Sequence, residues 1–349
     1  MSNPHPHRAR IRAALPALLL SAAGCALSAA ETSRTDYVLG TVCTIRILEG
    51  PRGETAKAAM DAAFARLRQI EDEMSVNRDD TELAAVNAAA GVSAVRVTDD
   101  VLYVVRKALE YARLTDGAFD PTVGPLVKLW GIGTEAARVP PKAEIAKALS
   151  LIDWKKVEVD EAAKTIRLRS RGMRLDLGAI AKGYAADEAK RILAAAGVKA
   201  AIIDLGGNIY AIGAKRDRSN WRVGVQDPAT PRGAYLGIVE GPEMTVVTSG
   251  VYERFFEEGG KRYHHILDTR TGYPVDNGLQ SVTIVTSSSI DADGLSTSLF
   301  ALGQEKGMAL ARTLPGVNVV MVDSAGKVHL SPGAGKIFRL TSKSYALAD

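Results

Sequence analysis

The order of helical and strand-like segments is the feature that most restricts how this chain can fold. Helical patterns lie mostly in the earlier part of the chain, and short strand-like segments then follow one another in a run. Strands that alternate regularly with helices would favour a doubly wound parallel sheet, whereas runs of strands favour an α+β architecture. We therefore expect a single α+β domain in which mixed or antiparallel sheets are flanked by helices.

The individual elements follow from periodicity and capping. Apolar residues three or four positions apart indicate helices, alternating apolar and polar residues indicate strands, and Thr98 before two aspartates is a typical helix N-cap. Helices are expected over residues 55–74, 99–113, 179–196 and, with interruptions near Gly303 and Gly307, 293–314. Strands are expected over residues 37–48, 157–159, 166–168, 200–204, 209–212, 221–226, 245–248, 263–267, 281–286 and 317–322.

The N-terminus has the composition of an export signal. Three arginines, Arg8, Arg10 and Arg12, precede an apolar stretch over residues 13–30. The core of that stretch is too short to span a bilayer, which takes about 20 apolar residues. Small residues at its end fit a cleavage site, so residues 1–30 are predicted to be a signal peptide and residues 31–349 the mature domain. Such a leader implies an exported, periplasmic protein.

A second processing route is open at the same place. Residues 22–25, Ala-Ala-Gly-Cys, resemble a lipobox, in which the cysteine is acylated after cleavage in front of it. The leucine that usually lies three positions before the cysteine is missing, since Ala22 occupies that place. The sequence therefore leaves open both soluble export and a lipid anchor at Cys25 that holds the protein at the membrane.

The low net charge and the scarcity of cysteine and histidine exclude several classes of function. The net charge is only +4 and no basic run contains interleaved aromatic residues, so nucleic acid is not an expected partner. Cys43 is the single cysteine outside the leader, and among the histidines only His264 and His265 are adjacent. A disulfide framework, a thiolate cluster and a zinc site are therefore excluded.

Residues 175–184 place a strand end, a tight turn and a helix start in succession, with the sequence LDLGAIAKGY. Backbone N–H groups and the helix dipole at such a junction favour a phosphate, and Asp176 could accept a hydrogen bond from a ligand. The glycine spacing matches neither the Walker nor the Rossmann pattern. A plain strand–helix connection with a capping aspartate is the simpler interpretation of this segment alone.

Residues 291–297 carry three oxygen side chains on one face of a predicted helix. Asp293, Ser296 and Thr297 lie at positions i, i+3 and i+4. One carboxylate and two hydroxyls form an oxygen set suited to Mg²⁺. An aspartate N-cap followed by hydroxyls bonded to the helix backbone explains the same spacing. Spacing alone does not decide between these two interpretations.

Two further segments carry groups that could line a ligand site. In residues 263–272, strand alternation points His264 and His265 to opposite faces, so at most one of them can serve as a general base. A hydrogen-bonded loop histidine is the preferred interpretation of His264. Residues 115–126, which contain Phe119 among turn-forming residues, could wall a flat ring or form an ordered loop.

Taken in order, these segments resemble one family. The resemblance rests on Met74-Ser75, residues 116–122 (DGAFDPT), 176–184, 204–208 (DLGGN), 248–250 (TSG), 265–268 (HILD) with Thr271-Gly272, and Ala292-Asp293 with Ser296-Thr297. The chain resembles the FAD:protein FMN transferase, or ApbE-like, family over residues 36–322. This resemblance implies a Mg²⁺-dependent transfer of FMN from FAD, here a substrate, to a Thr or Ser hydroxyl of an exported flavoprotein of respiratory electron transport. A phosphoester forms and AMP is released.

The resemblance also implies a set of site residues. The metal would be held by the backbone oxygen of Ala179 and by Asp293, Ser296 and Thr297. His265 and Asp293 are the catalytic candidates, His265 as the group that orients or deprotonates the acceptor hydroxyl. The implied FAD-binding positions are Leu39, Asn77, Ala118, Phe119, Asp120, Asp176, Lys182 and Ile266.

Two positions depart from the family pattern. Leu39 replaces a common methionine, which conserves volume, and Asn77 stands where an aromatic residue is usual. If that aromatic residue covers the flavin, Asn77 leaves the site more open and favours some hydrolysis of FAD by water. Two alternatives to a transferase stay open: a Mg²⁺-dependent FAD pyrophosphatase, which would use the same site residues with water as the attacking group, and a non-catalytic periplasmic FAD-binding protein, which would have no use for Asp293, Ser296 and Thr297.

Overall fold

The chain is described by a computed structural model over residues 32–230 and 233–348. The predicted signal peptide, residues 1–30, and the predicted lipidation site Cys25 lie outside the described residues. Within the described ranges no helix combines the length and the apolar character needed to cross a membrane.

The helices are α1 (Gly53–Met74), α2 (Glu82–Ala88), α3 (Asp99–Leu114), α4 (Gly124–Trp130), α5 (Lys142–Leu149), α6 (Ala181–Ala195), α7 (Ser289–Leu302) and α8 (Gln304–Ala311). The strands are β1 (Thr32–Val38), β2 (Thr41–Glu49), β3 (Val95–Arg96), β4 (Val157–Asp160), β5 (Thr165–Leu168), β6 (Ala200–Leu205), β7 (Asn208–Gly213), β8 (Trp221–Gln226), β9 (Tyr235–Gly241), β10 (Met244–Gly250), β11 (Phe255–Glu258), β12 (Lys261–His264), β13 (Leu279–Thr286), β14 (Asn318–Asp323), β15 (Lys327–Leu330), β16 (Phe338–Leu340) and β17 (Ala346–Leu347).

A large mixed sheet organises the molecule. Its nine strands lie in the order β1-β2-β6-β7-β10-β13-β14-β15-β17, and every neighbouring pair is antiparallel except β15 and β17. Smaller sheets are formed by β16-β9-β8 and by β3-β5-β4, and β11 pairs with β12 as a separate hairpin. The predicted α+β architecture with mixed and antiparallel sheets is confirmed.

The large sheet is buried on both faces. Along β14, Val319 and Met321 belong to a core that also contains residues of α1, α3, α6 and α7. Val320 and Val322 belong to a second core, which the small β16-β9-β8 sheet shares. Because successive side chains of a strand point to opposite faces, a strand covered on both sides reads as a continuous apolar run.

Several predicted elements have the expected bounds. Thr98 accepts a hydrogen bond from the N–H of Val101, and α3 follows it directly, as the capping pattern predicts. The strands β4 and β5 form the expected antiparallel hairpin. The sequence does not predict β9, because two glycines interrupt its strand pattern. Gly237 in that strand lies against Phe338, and a Cβ at this glycine would fall 2.4 Å from the Phe338 ring.

The segment predicted as one strand over residues 37–48 is two strands, so that prediction is wrong. The chain reverses between β1 and β2 at Leu39 and Gly40, where φ is 57° and 66°. Two successive positive φ values define a type I′ hairpin turn, which Asn-Gly fills most readily. Leucine at the first turn position carries no such signal and conceals the turn.

The predicted helix starts also need correction. α6 begins at Ala181 rather than at residue 179, and α7 begins at Ser289 rather than at Asp293. Asp293 is therefore an internal helix residue and not an N-cap. The predicted final helix divides at Gly303, where φ is 82°, into α7 and α8. The predicted strand over residues 263–267 ends at His264, the last residue of β12.

Candidate active site

A cleft of about 360 Å³ lies where several loops meet the helices α6 and α7. Its walls come from the β1–β2 turn, the loop after α3, the loop before α6, the β6–β7 turn, the end of β10, both ends of the β11–β12 hairpin, and α7. Ten of the predicted site residues line it: Ala118, Phe119, Asp120, Asp176, Ala179, Lys182, His265, Ile266, Asp293 and Thr297. Residues distant in sequence thus converge on one cavity.

One end of the cleft lies where α6 and α7 approach each other most closely. A Cβ at Gly183 would lie 2.3 Å from the carbonyl oxygen of Ser289 and 2.6 Å from the Cα of Ile290, so only glycine fits. The N–H of Gly183 donates to Oδ2 of Asp293 over 2.9 Å. Asp187, also on α6, accepts from the N–H groups of Ser289 and Ile290 at 2.9 Å each and caps the start of α7.

Oxygen atoms cluster beside this crossing. Oδ1 of Asp293 lies 3.8 Å from Nζ of Lys182, which donates to the carbonyl of Gly178 over 3.2 Å. The hydroxyl of Ser249 is 3.2 Å from that of Thr297 and 2.8 Å from that of Ser296. Among the described residues no backbone N–H donates to the carbonyl of Ala179, which lines the same cleft.

This donor set fits a hard divalent cation. It offers one carboxylate oxygen, the Thr297 hydroxyl and the Ala179 carbonyl, while the described ranges hold no group of three His, Cys, Asp or Glu residues arranged for a metal. A single carboxylate with neutral oxygens is the set that Mg²⁺ uses when it keeps waters and shares substrate phosphates. Soft or borderline metals would require the thiolates and imidazoles that are absent from this cluster.

Two aspartates of the cleft have different surroundings. Asp120 is buried and accepts from the N–H and hydroxyl of Thr122 at 2.8 and 2.7 Å and from the N–H of Trp154 at 3.1 Å. It therefore fixes the loop that presents Phe119. Asp176 accepts from the N–H of Gly178 over 2.8 Å, and burial raises the pKa of both carboxyl groups.

The two adjacent histidines separate as strand alternation predicts. His264 is buried, and its Nε2 lies 2.9 Å from the carbonyl of Val275. His265 lines the cleft, and its Nδ1 lies 3.3 Å from the carbonyl of Arg254. Burial in the cleft and the charge of Arg254 lower the pKa of His265 to about 3, which keeps the imidazole neutral at neutral pH. With its proton on Nδ1, the ring presents Nε2 as an acceptor.

Three predicted site residues do not line the cleft. Ser296 is fully buried and reaches the oxygen cluster through the hydroxyl of Ser249. Leu39 occupies the β1–β2 turn next to Gly40 and Thr41, which do line it. Asn77 is exposed in the segment after α1. These positions remain predictions for FAD and metal binding.

Several residues of the cleft wall have no functional role that the sequence predicts. Ser249 belongs to a recognised motif, and its position opposite Thr297 follows only from the pairing of β10 with its neighbours. Arg254 also lines the cleft. It lies eleven positions before His265, and the β11–β12 hairpin brings the two together. No periodicity links them, so a hairpin prediction over this segment was the only available signal.

Comparison with known proteins places the chain in a family. The model of the ApbE family matches residues 39–321. The chain belongs to the ApbE family. It is 39% identical over 330 residues to a FAD:protein FMN transferase of Treponema pallidum, covering 91% of each chain. It is 38% identical to a Klebsiella pneumoniae protein of that name, covering 84% of this chain and 91% of the relative.

Solved ApbE structures have the same fold. An ApbE protein of Thermotoga maritima superimposes with a TM-score of 0.80 at 32% identity, covering 89% of this chain and all of the other. The flavin transferase ApbE of Vibrio cholerae gives a TM-score of 0.80 at 30% identity, covering 88% of this chain and 99% of the other. The family expectation drawn from the ordered motifs is therefore confirmed, and the chain spans nearly the full length of these ApbE relatives.

Proposed function

We propose that this protein is a FAD:protein FMN transferase that moves FMN from FAD to a hydroxyl of an acceptor protein and releases AMP. The observation that carries the proposal is the single cleft that combines an oxygen cluster, a lysine at a helix start and a neutral histidine. FAD carries its two phosphates between a flat ring system and an adenosine. A cleft with cationic and metal-binding groups in the middle suits such a substrate.

The chemistry is a substitution at phosphorus. The hydroxyl oxygen of an acceptor Thr or Ser forms a bond to the phosphorus of the FMN half, the bond from that phosphorus to the AMP oxygen breaks, and the hydroxyl proton is released. Lys182 and Arg254 supply positive charge toward the phosphates, and Nε2 of the neutral His265 can accept a hydrogen bond that orients the acceptor hydroxyl. A Mg²⁺ ion held by Asp293, Thr297 and the Ala179 carbonyl would neutralise charge on the phosphate oxygens.

The test is mass spectrometry of an acceptor flavoprotein domain incubated with this protein, FAD and Mg²⁺. We expect a covalent gain equal to FMN on one Thr or Ser. EDTA should abolish it, and Asp293→Asn should lower its rate at least about 100-fold because the only carboxylate of the oxygen cluster is lost. Asp217→Asn, at an exposed aspartate that does not line the cleft, removes the same charge and should leave the rate unchanged.

Other outcomes separate the alternatives. Mg²⁺-dependent release of free FMN and AMP without an adduct, with several acceptor domains, would indicate a FAD pyrophosphatase. Retention of FAD without turnover, unchanged by Asp293→Asn, would indicate a flavin-binding protein. The exposed Asn77 is the one feature that favours some hydrolysis. If FMN release without an acceptor is no faster than in an Asn77→Tyr variant, that contribution is absent.

The location and partner of the protein are further proposals. The leader-like N-terminus supports export to the periplasm, with a lipid on Cys25 as one means of attachment to the membrane. The acceptor would then be an exported flavoprotein of respiratory electron transport. Mass spectrometry of the protein recovered from its native membrane fraction would identify either a diacylglyceryl group on Cys25 or a chain that begins at Glu31.

A further inference from the structure

The side chain of one cation in the cleft has no partner among the residues that the structure describes. Among the described residues, the guanidinium group of Arg254 makes no ion pair and no hydrogen bond, although the arginine lines the cleft and is exposed. Arg66, by contrast, pairs with Asp100 and Glu188 at 2.6 and 2.9 Å. An unpaired guanidinium at a site for a doubly charged phosphate compound is available to bind that ligand.

The backbone of Arg254 has a fixed position, although its guanidinium has no partner in the described part of the chain. Its carbonyl accepts from the N–H of His265 over 3.0 Å, which joins the two ends of the β11–β12 hairpin. Its side-chain stem lies over Gly133, where a Cβ would fall 3.3 Å from Cδ of the arginine. The backbone of Arg254 is therefore held beside His265, and the stem of its side chain packs over Gly133 at the cleft wall.

The position of Arg254 next to His265 indicates which of the two phosphates of FAD it would contact. If His265 orients the acceptor hydroxyl by accepting its hydrogen bond, that hydroxyl lies within about 3 Å of the imidazole. The same oxygen must reach the phosphorus of the FMN half, so the transferred phosphate is close to His265. The carbonyl of Arg254 lies 3.0 Å from the backbone N of His265 and 3.3 Å from its Nδ1, whereas Nζ of Lys182 lies 3.8 Å from Asp293, so Arg254 is the cleft cation placed next to this histidine.

We propose that Arg254 binds the phosphate of the FMN half of FAD and stabilises it during transfer. This inference rests on the proposed function of the cleft. Arginine presents N–H donors in a planar fork that matches two phosphate oxygens, and its charge offsets the charge that the phosphate keeps throughout the substitution. Arg254 would then be a specificity-determining residue that distinguishes phosphorylated from unphosphorylated flavin.

The test compares FMN with riboflavin, which differ by this one phosphate. Binding of each to the full-length protein with Mg²⁺ is measured by flavin fluorescence, for the wild type, Arg254→Gln and Arg254→Lys. We expect Arg254→Gln to weaken FMN binding about 10- to 100-fold, as for loss of a charged hydrogen bond, and to change riboflavin binding less than twofold. Arg254→Lys should recover part of the FMN affinity. Arg262→Gln, on the same hairpin and paired with Glu257, is the charge-matched control.

Each outcome of this binding comparison either supports or overturns the proposed role of Arg254. Unchanged FMN binding in Arg254→Gln overturns the proposal, and so does a wild type that binds FMN no more tightly than riboflavin. Equal losses for both flavins would mean that Arg254 supports the shape of the cleft rather than the phosphate. The transfer reaction is measured separately: a wild type that shows the FMN preference but modifies no acceptor contradicts the proposed function and leaves the Arg254 result standing.

Discussion

Glu73 is a buried carboxyl group at a distance in sequence from every cleft residue. It is 8% exposed, its Oε1 accepts from the side chain of Gln69 over 2.8 Å, and its Oε2 has no partner among the described residues. Burial and the nearby charge of Asp100 raise the pKa of Glu73 to about 7, although Arg66 opposes this. The folded protein therefore holds a proton that the unfolded chain releases at lower pH.

We expect this proton to make stability depend on pH. Between the unfolded pKa of 4.5 and the folded value of about 7, the folded state binds more protons, so the free energy of unfolding decreases as pH rises and levels off above that range. Glu73→Gln should remove this decrease and stabilise the protein at pH 8 by about 2 kcal/mol, with little change near pH 4.5. Urea denaturation at both pH values measures the effect. Glu54→Gln, at an exposed glutamate, is the control, and an equal pH dependence in Glu73→Gln and wild type would contradict the argument.

The helices α6 and α7 show that a cap can come from another element. The first N–H groups of α7 are satisfied by Asp187 of α6, and α7 carries Asp293 and Thr297. Asp187, an internal residue of α6, thus fixes the start of the helix on which the oxygen ligands of the proposed metal site lie. A capping residue that is distant in sequence leaves no local signal, which explains why the predicted start of this helix is displaced.

Removal of this cap should affect the metal as well as stability. Asp187→Ala should destabilise the fold by about 1–2 kcal/mol and raise the Mg²⁺ concentration needed for half-maximal transfer. Thr98→Ala removes the cap of α3, a helix with no residue in the cleft wall, and should lower stability similarly without changing the Mg²⁺ requirement. Equal Mg²⁺ requirements in the two variants would show that Asp187 is only a structural cap.

The sequence predicts those elements whose signals lie within a few residues of one another. Thr98 and the apolar period of α1 predict their helices, and the ordered motifs predict ten residues of the cleft wall. The rest depends on tertiary contacts. Leu39 tolerates a positive φ only within the β1–β2 hairpin, Gly237 is required by the ring of Phe338, and Arg254 meets His265 only because β11 pairs with β12.

At the scale of the whole molecule, one sheet carries two cores. Alternate residues of β14 enter each core, so neither core can be exposed without loss of the sheet that supports the other. Two cores that pack on opposite faces of the same strands are expected to unfold together. The aromatic cluster around Trp130 is a third group, formed by α4, α5 and the segment after β12.

We expect a single cooperative unfolding transition for the mature chain. Trp221 reports on the core of the small sheet and Trp130 on the cluster beside the cleft. The double variants Trp130→Phe/Trp154→Phe and Trp154→Phe/Trp221→Phe each leave one reporter. Their fluorescence transitions in urea should coincide with each other and with the far-UV circular dichroism of the same variant. A Trp130 transition at lower urea would show that the α4–α5 region unfolds first.

The missing side chain at Gly183 also bears on which ion the cleft accepts. Backbone meets backbone at this crossing, and the N–H of Gly183 holds one oxygen of Asp293. Ligands on α7 and the carbonyl before α6 therefore have little freedom to move apart. Mg²⁺ takes oxygen ligands at about 2.0–2.1 Å and Ca²⁺ at about 2.3–2.6 Å, with more of them. Discrimination against the larger ion would then depend on the spacing of two helices, which is set by a residue without a side chain.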